Sequence, residues 1–356
     1  MKKSFPKMIL CLLSVCVMLA AVFAGCSGKV DAPAAQAPAA NAPAVDAPAG
    51  NAKTRIAFVS YQAFDSSEWL QNLMSGLTAY ETENQDVEIK CIEALAVDQY
   101  EPKVRACCEQ GYDIIITTYS DMADATIAVA KDYPDIKFGI LQGEIENIAD
   151  YANISDFHLN RTETAFVQGC AAALMTKTGK VGFVGGADSG GINEILAGYQ
   201  QGIAYINNGT VDVVTYCNSF TDPTIGKEYA LQLIVDGCDV IFGAAGGSGT
   251  GCAQAAEEQG VMYAACDVHY PDAAPTAEIG SALNSFENMV IAFIDDTLNG
   301  NYQGGTSNEY GIAQGAAGYE FASNGLVPTD IQDKVMEISD KVAAGEFKID
   351  TQPLHK

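Results

Sequence analysis

Asp239 to Cys252 reads DVIFGAAGGSGTGC, an apolar run that passes straight into a loop containing five glycines. Glycines at the end of a strand let the backbone approach a ligand and offer it N–H donors. The spacing is not a dinucleotide fingerprint, since no register gives G-x-G-x-x-G and the loop follows the third strand of its half rather than the first. Nor is it a Walker loop, because no G-K-[ST] follows. Two readings remain: a plain turn, or a loop whose N–H groups donate to a neutral polar ligand.

Groups able to move protons or attack a carbonyl are sparse. The histidines are His158, His269 and His355, and there is no G-x-S-x-G, no H-E-x-x-H and no local Cys/His pairing. Acidic runs such as ETENQD and AEEQG read as solvated helix faces. No metal site, cofactor or catalytic residue is expected, and binding without chemistry is the favoured reading.

The aromatic residues are placed more suggestively. Trp69, the single tryptophan, follows AFDSSE, in which Asp65, Ser66 and Ser67 are candidate helix caps. That places Trp69 in the first turn of the first helix, just beyond a strand end, where it faces either the mouth of its lobe or its core. Phe220, in NSFTDPTIGKEYA, occupies the same kind of strand-to-helix turn in the second half. Two such rings facing across a cleft would sandwich a planar heterocycle and remove both its faces from water.

The elements that must hold these residues alternate almost without interruption. RIAFVSY, VEIKCIEA, YDIIITTY, IKFGILQGE and NISDFHL form one set of strand-like runs. KVGFVGG, VDVVTYCNS, CDVIFGAAG, MYAACDV and AEIGSALN form a second, with helix-length segments between. This predicts an α/β protein of two doubly wound, parallel-sheet lobes. The chain beyond Asn284 holds one strong helix, a Gly-rich stretch and a final amphipathic helix from about Thr329 to Ala344. It is expected to shuttle back and complete both lobes, giving three crossings and a hinged cleft. Lobe 1 is assigned 53–157 plus about 284–312, and lobe 2 158–283 plus about 313–356.

Length and charge bound the rest. The 356 residues, 48% apolar, are enough for two ordinary cores. Nineteen basic against 45 acidic residues give a formal charge of −26, which opposes nucleic acid as a partner. Residues 1–25 run from a cationic start through an apolar stretch to VFAGC, an expected lipoprotein signal that makes Cys26 the lipidated N-terminus; Phe23 departs from the usual Leu, and a transmembrane anchor is the competing reading. Residues 26–52 form an Ala/Pro-rich tether, about 80 Å long if stretched at about 3.1 Å per residue. Eight further cysteines lack CxxC spacing, and no disulfide is expected.

Taken as a set, GKVGFVGG, AGYQQG, SFTDPTIGKEYALQLIVDGCDVIFGAAGGSGTG and AACDV resemble the basic membrane protein family, solute-binding lipoproteins related to the spirochaetal purine nucleoside receptor. The resemblance spans Lys53 to Asp350. It implies a type I periplasmic-binding fold and a closing cleft. It also implies a membrane-tethered monomer that delivers nucleosides to the permease and ATPase subunits of an ABC importer. Trp69 takes the place of the family's first stacking Phe, Leu70 replaces an Asn, and Asp65 lies in its aspartate-rich turn. Phe220 matches the second stacking ring, Gly247 and Gly249 the ligand-facing loop, and Asp267 the aspartate for ribose hydroxyls. Ser60 and Gln142 stand where aspartates are common, and Asn284 where a lysine is usual, so the hydrogen-bond code is expected to differ. The alternatives are a binding protein of the same fold for another small ligand, a nucleobase or a sugar, a sensor of that fold, and an enzyme acting on a nucleoside or sugar through Asp267 or His269.

Overall fold

The computed structural model describes residues 53–356, so the expected signal, Cys26 and the tether fall outside the described residues. The chain runs β1 (Thr54–Ser60), α1 (Glu68–Glu83), β2 (Val87–Glu93), α2 (Val97–Glu109), β3 (Ile114–Thr118), α3 (Ala123–Ala130), β4 (Lys137–Leu141) and β5 (Ile154–Leu159). It continues through α4 (Arg161–Met175), β6 (Lys180–Gly185), α5 (Gly190–Ile206), β7 (Val211–Tyr216), α6 (Pro223–Val235), β8 (Val240–Ala244), α7 (Gly249–Gln259), β9 (Met262–Cys266) and β10 (Glu278–Asn284). Last come α8 (Phe286–Leu298), β11 (Thr306–Tyr310), β12 (Ala317–Phe321) and α9 (Thr329–Ala343).

Two six-stranded sheets result, ordered β2-β1-β3-β4-β5-β11 and β7-β6-β8-β9-β10-β12. Their first five strands repeat one doubly wound order, in which the crevice forms where the chain reverses direction across the sheet. Those reversals fall between β1 and β3 and between β6 and β8. Strands β3 and β8 are buried along their whole length, because helices cover both faces. In the first lobe one face packs Leu70, Leu73 and Phe293 and the other Tyr100, Val104 and Ile140. In the second, Phe183, Tyr199 and Phe242 fill one face, and Leu233, Cys252 and Tyr263 the other.

The Gly-rich stretch after α8 hides a strand for each sheet. β11 runs parallel to β5, while β12 runs antiparallel to β10 and so departs from the all-parallel expectation. The chain passes between the sheets after β5, after β10 and between β11 and β12. These passages are bonded to one another at the root of α4. Thr164 donates to Asn284 Oδ1 at 2.8 Å, and Glu163 accepts from the Ile312 N–H at 2.8 Å. The Arg161 guanidinium lies 5.2 Å from the centre of the Phe286 ring.

Cysteines 91, 107, 108, 170, 217, 238, 252 and 266 are free thiols, and all but Cys91 are buried. Burial pushes the Cys107 thiol up to about 11 and that of Cys252 up to about 12, so both behave as small hydrophobes. No helix among the described residues is long and apolar enough to cross a membrane.

Candidate functional site

On the second lobe the loop after β7 is fastened to the glycine loop after β8. Ser248 Oγ donates to Ser219 Oγ at 3.0 Å and accepts from the Asp222 N–H at 3.1 Å, while Asp222 caps α6 through the Thr224 N–H at 2.9 Å. This frame presents Phe220, which is 46% exposed and lies so close to Gly186 that a Cβ there would come within 2.2 Å of its ring.

The glycines of the loop do different jobs. Gly246 turns the chain at φ +54°, and Gly247 is exposed beside the Phe220 carbonyl. Gly249 is buried, with the hydroxyls of Tyr270 and Tyr263 closing over it. Gly251 serves packing: a Cβ there would lie 1.7 Å from the Pro223 carbonyl, which sets how closely α7 meets α6. Tyr270 ties this loop to the segment after β9 by donating to the Gly246 carbonyl at 3.3 Å. Asp267 begins that segment at φ +65°, and its Oδ1 accepts from the Asn284 amide at 2.9 Å.

On the first lobe Trp69 is half-buried at the rim of the core, 5.3 Å from Phe286 and 5.9 Å from Tyr119 between ring centres. Tyr61 packs edge-on against the same Tyr119 at 5.7 Å. Ser60 is buried and its Oγ accepts from the Gln62 N–H at 3.1 Å, so it shapes the turn after β1. Asp65 is exposed, and its carbonyl accepts from the Gln71 amide at 3.1 Å. Ser67 is the N-cap residue of α1 yet makes no side-chain capping bond, so the expected cap is not formed by Asp65, Ser66 or Ser67.

A cavity of about 520 Å³ opens between the lobes. Tyr119, Gln142 and His158 line it from one side, Arg161 and Thr162 from the first crossing, and Gly191 and Glu194 from α5. Of the ligand-binding residues expected from the sequence only Gln142 borders this cavity, beside His158; Trp69 reaches it through Tyr119. Asp267, Asn284, Phe220 and the glycine loop are joined to one another on the second lobe. His269 lines a different cavity, with its ring nitrogens on Glu278 and Glu320.

Tyr119, Gln142 and Asp267 all hold positive φ without being glycine, at 59°, 54° and 65°. Each stands at the carboxyl end of its strand. Such strain persists only where surrounding structure enforces it, and it concentrates at ligand sites. Inside the cavity burial raises the Glu194 carboxyl above its usual value against the pull of Arg161, with Glu309 and Glu144 adding to the rise.

A family profile described as ABC transporter substrate-binding protein, PnrA-like, matches residues 53–352. The chain belongs to this family. It is 28% identical over 313 residues to a CD4+ T-cell-stimulating antigen of Listeria innocua, covering 83% of this chain and 86% of the relative. An ABC transporter nucleoside-binding protein of Lactococcus lactis is 27% identical over 311 residues, covering 82% and 84% of the two chains. Among solved structures, an ABC transporter solute-binding protein from Conexibacter woesei superposes with a TM-score of 0.66 at 18% identity, over 84% of this chain and 99% of that one. The fold is the type I periplasmic-binding fold, and the family is one of solute-binding proteins. Membership implies a small-molecule ligand, permease and ATPase partners, and a place outside the cytoplasm.

Proposed function

We propose that this is a monomeric lipoprotein, anchored through Cys26 and its tether, that captures a nucleoside-like ligand, with a purine nucleoside preferred, and delivers it to an ABC permease. The observation that carries the reading is the second-lobe platform: exposed Phe220 on Gly186, framed by Gly247 and by Asp267 with Asn284. A ring stacks on Phe220, the loop N–H groups take its polar edge, and Asp267 accepts from sugar hydroxyls. Trp69 and Tyr119 supply the opposing apolar wall when the lobes close. The nucleoside-binding relative from Lactococcus supports the same ligand class.

Thermal shift of the tether-free protein against nucleosides, bases, sugars and amino acids tests this. Nucleosides should stabilise it by about 2.7 kcal/mol at a hundredfold excess over Kd. Shifts with sugars or amino acids but not with nucleosides would sink the reading.

A further inference from the structure

His158 has an acceptor on each ring nitrogen. Its Nδ1 is 2.7 Å from Gln142 Oε1 and its Nε2 is 2.9 Å from Asp156 Oδ2. The Asp156 side chain is 2% exposed and already accepts from the N–H groups of Gly143 at 2.8 Å and Ile145 at 3.3 Å, so it acts only as a carboxylate acceptor. A ring that donates from both nitrogens is an imidazolium. Gln142 is held at φ +54° by its N–H bond to the Phe157 carbonyl, and it lines the interlobe cavity beside His158, so the side-chain amide that meets the ring also borders the space open to a ligand.

Loss of the ring proton reverses that amide. Asp156 keeps the Nε2–H, Nδ1 becomes an acceptor, and Gln142 must then offer its NH2 to the ring and turn its carbonyl oxygen to the cavity. We propose that His158 is a specificity-determining residue that sets, through its protonation, whether Gln142 presents a donor or an acceptor to the ligand in the cleft. The inference rests on the nucleoside reading above.

The charges around the ring favour the donor state near neutrality. Asp156 faces it from β5, Glu144 from the β4–β5 connection, Glu309 from β11 and Glu194 from α5, with Arg161 on the rim of the same cavity. Burial opposes the charge, but the Asp156 hydrogen bond and the surrounding carboxylates outweigh it and raise the His158 pKa. With Gln142 donating, a 6-carbonyl purine is preferred; with Gln142 accepting, a 6-amino purine is.

Calorimetric titration with inosine and with adenosine, from about pH 5.5 to about pH 8.5, reads this directly. The inosine-over-adenosine preference should fall about tenfold as His158 loses its proton, the scale of one mispaired buried hydrogen bond. The preference should become independent of pH in His158→Phe and keep its slope in His355→Gln. A flat or rising preference in the unaltered protein, with both nucleosides bound, overturns the proposal and leaves the nucleoside reading standing. If neither nucleoside binds, the nucleoside reading fails, and 15N NMR of the histidine-labelled and glutamine-labelled protein still decides the switch. His158 should then carry protons on both nitrogens at neutral pH, and the Gln142 side-chain amide should shift with the same midpoint. A Gln142 amide indifferent to that titration overturns it.

Discussion

Single side chains set the polarity of this cleft. Asp156 is the anchor: desolvation raises its pKa, but the bonds from His158, Gly143 and Ile145 more than reverse that and leave it below the usual carboxylate value. A lowered carboxylate stabilises the fold above its unfolded pKa and loses that contribution as pH falls through the folded value. A raised histidine does the opposite, stabilising below about pH 6.5 and losing the contribution as pH climbs through its folded pKa. The pair therefore contributes most in mildly acidic solution. Asp156→Asn should cost about 3 kcal/mol near pH 6, the scale for breaking a buried ion pair, and less at pH 9. Urea midpoints across that range check this, and a cost that does not vary with pH would refute the pairing. Gly186 offers a second residue-scale prediction. Gly186→Ala places a methyl in the Phe220 ring and should weaken ligand affinity about tenfold through the lost stack. Phe220 is exposed, so the melting temperature should hardly move.

At the scale of elements, what holds the platform is the close meeting of α6 and α7. Gly251→Ala drives a methyl against the Pro223 carbonyl and should destabilise by about 1–3 kcal/mol, the usual cost of overpacking. Because α7 carries the glycine loop at its start, urea denaturation and ligand affinity should both register the change, unlike in Gly186→Ala. The same elements show what the sequence disclosed. β8 is apolar from end to end and β3 over its three isoleucines, because both faces of each strand are buried, so they stand out in the sequence. β11 reads TSNEY, an edge strand of polar residues, and its pairing with β5 comes from tertiary contact rather than from pattern. The glycine loop and Phe220 were legible as strand-end features. Tyr119 and Arg161 were not, since their partners lie on other strands and helices; the local signs were Tyr119 itself, at the end of β3, and the Asp156–His158 pair, two residues apart on β5, whose third member Gln142 comes from the end of β4. The loop also held more than one purpose, and nothing in its glycine spacing separated the packing role of Gly251 from the exposed place of Gly247.

For the molecule as a whole, the hinge is the decisive structure. Three crossings join the lobes and are cross-bonded at Glu163, Thr164 and Arg161, so the motion that keeps these bonds intact is a bend about them. A ligand that touches Phe220 on one lobe and the Trp69–Tyr119 wall on the other gains its second set of contacts only when the lobes bend together, so it favours the closed state by the difference. The chain carries its own reporter of this event, because Trp69 is the single tryptophan and lies half-buried at the rim of the first lobe. Saturating ligand should change Trp69 emission and lower the radius of gyration in small-angle scattering, with both signals following one binding curve. In Phe220→Ala the second-lobe platform is gone while Trp69 and the hinge remain, so both responses should move together to about tenfold higher ligand concentration. Emission that changes without contraction would place the ligand on the first lobe alone and would remove closure as the source of affinity.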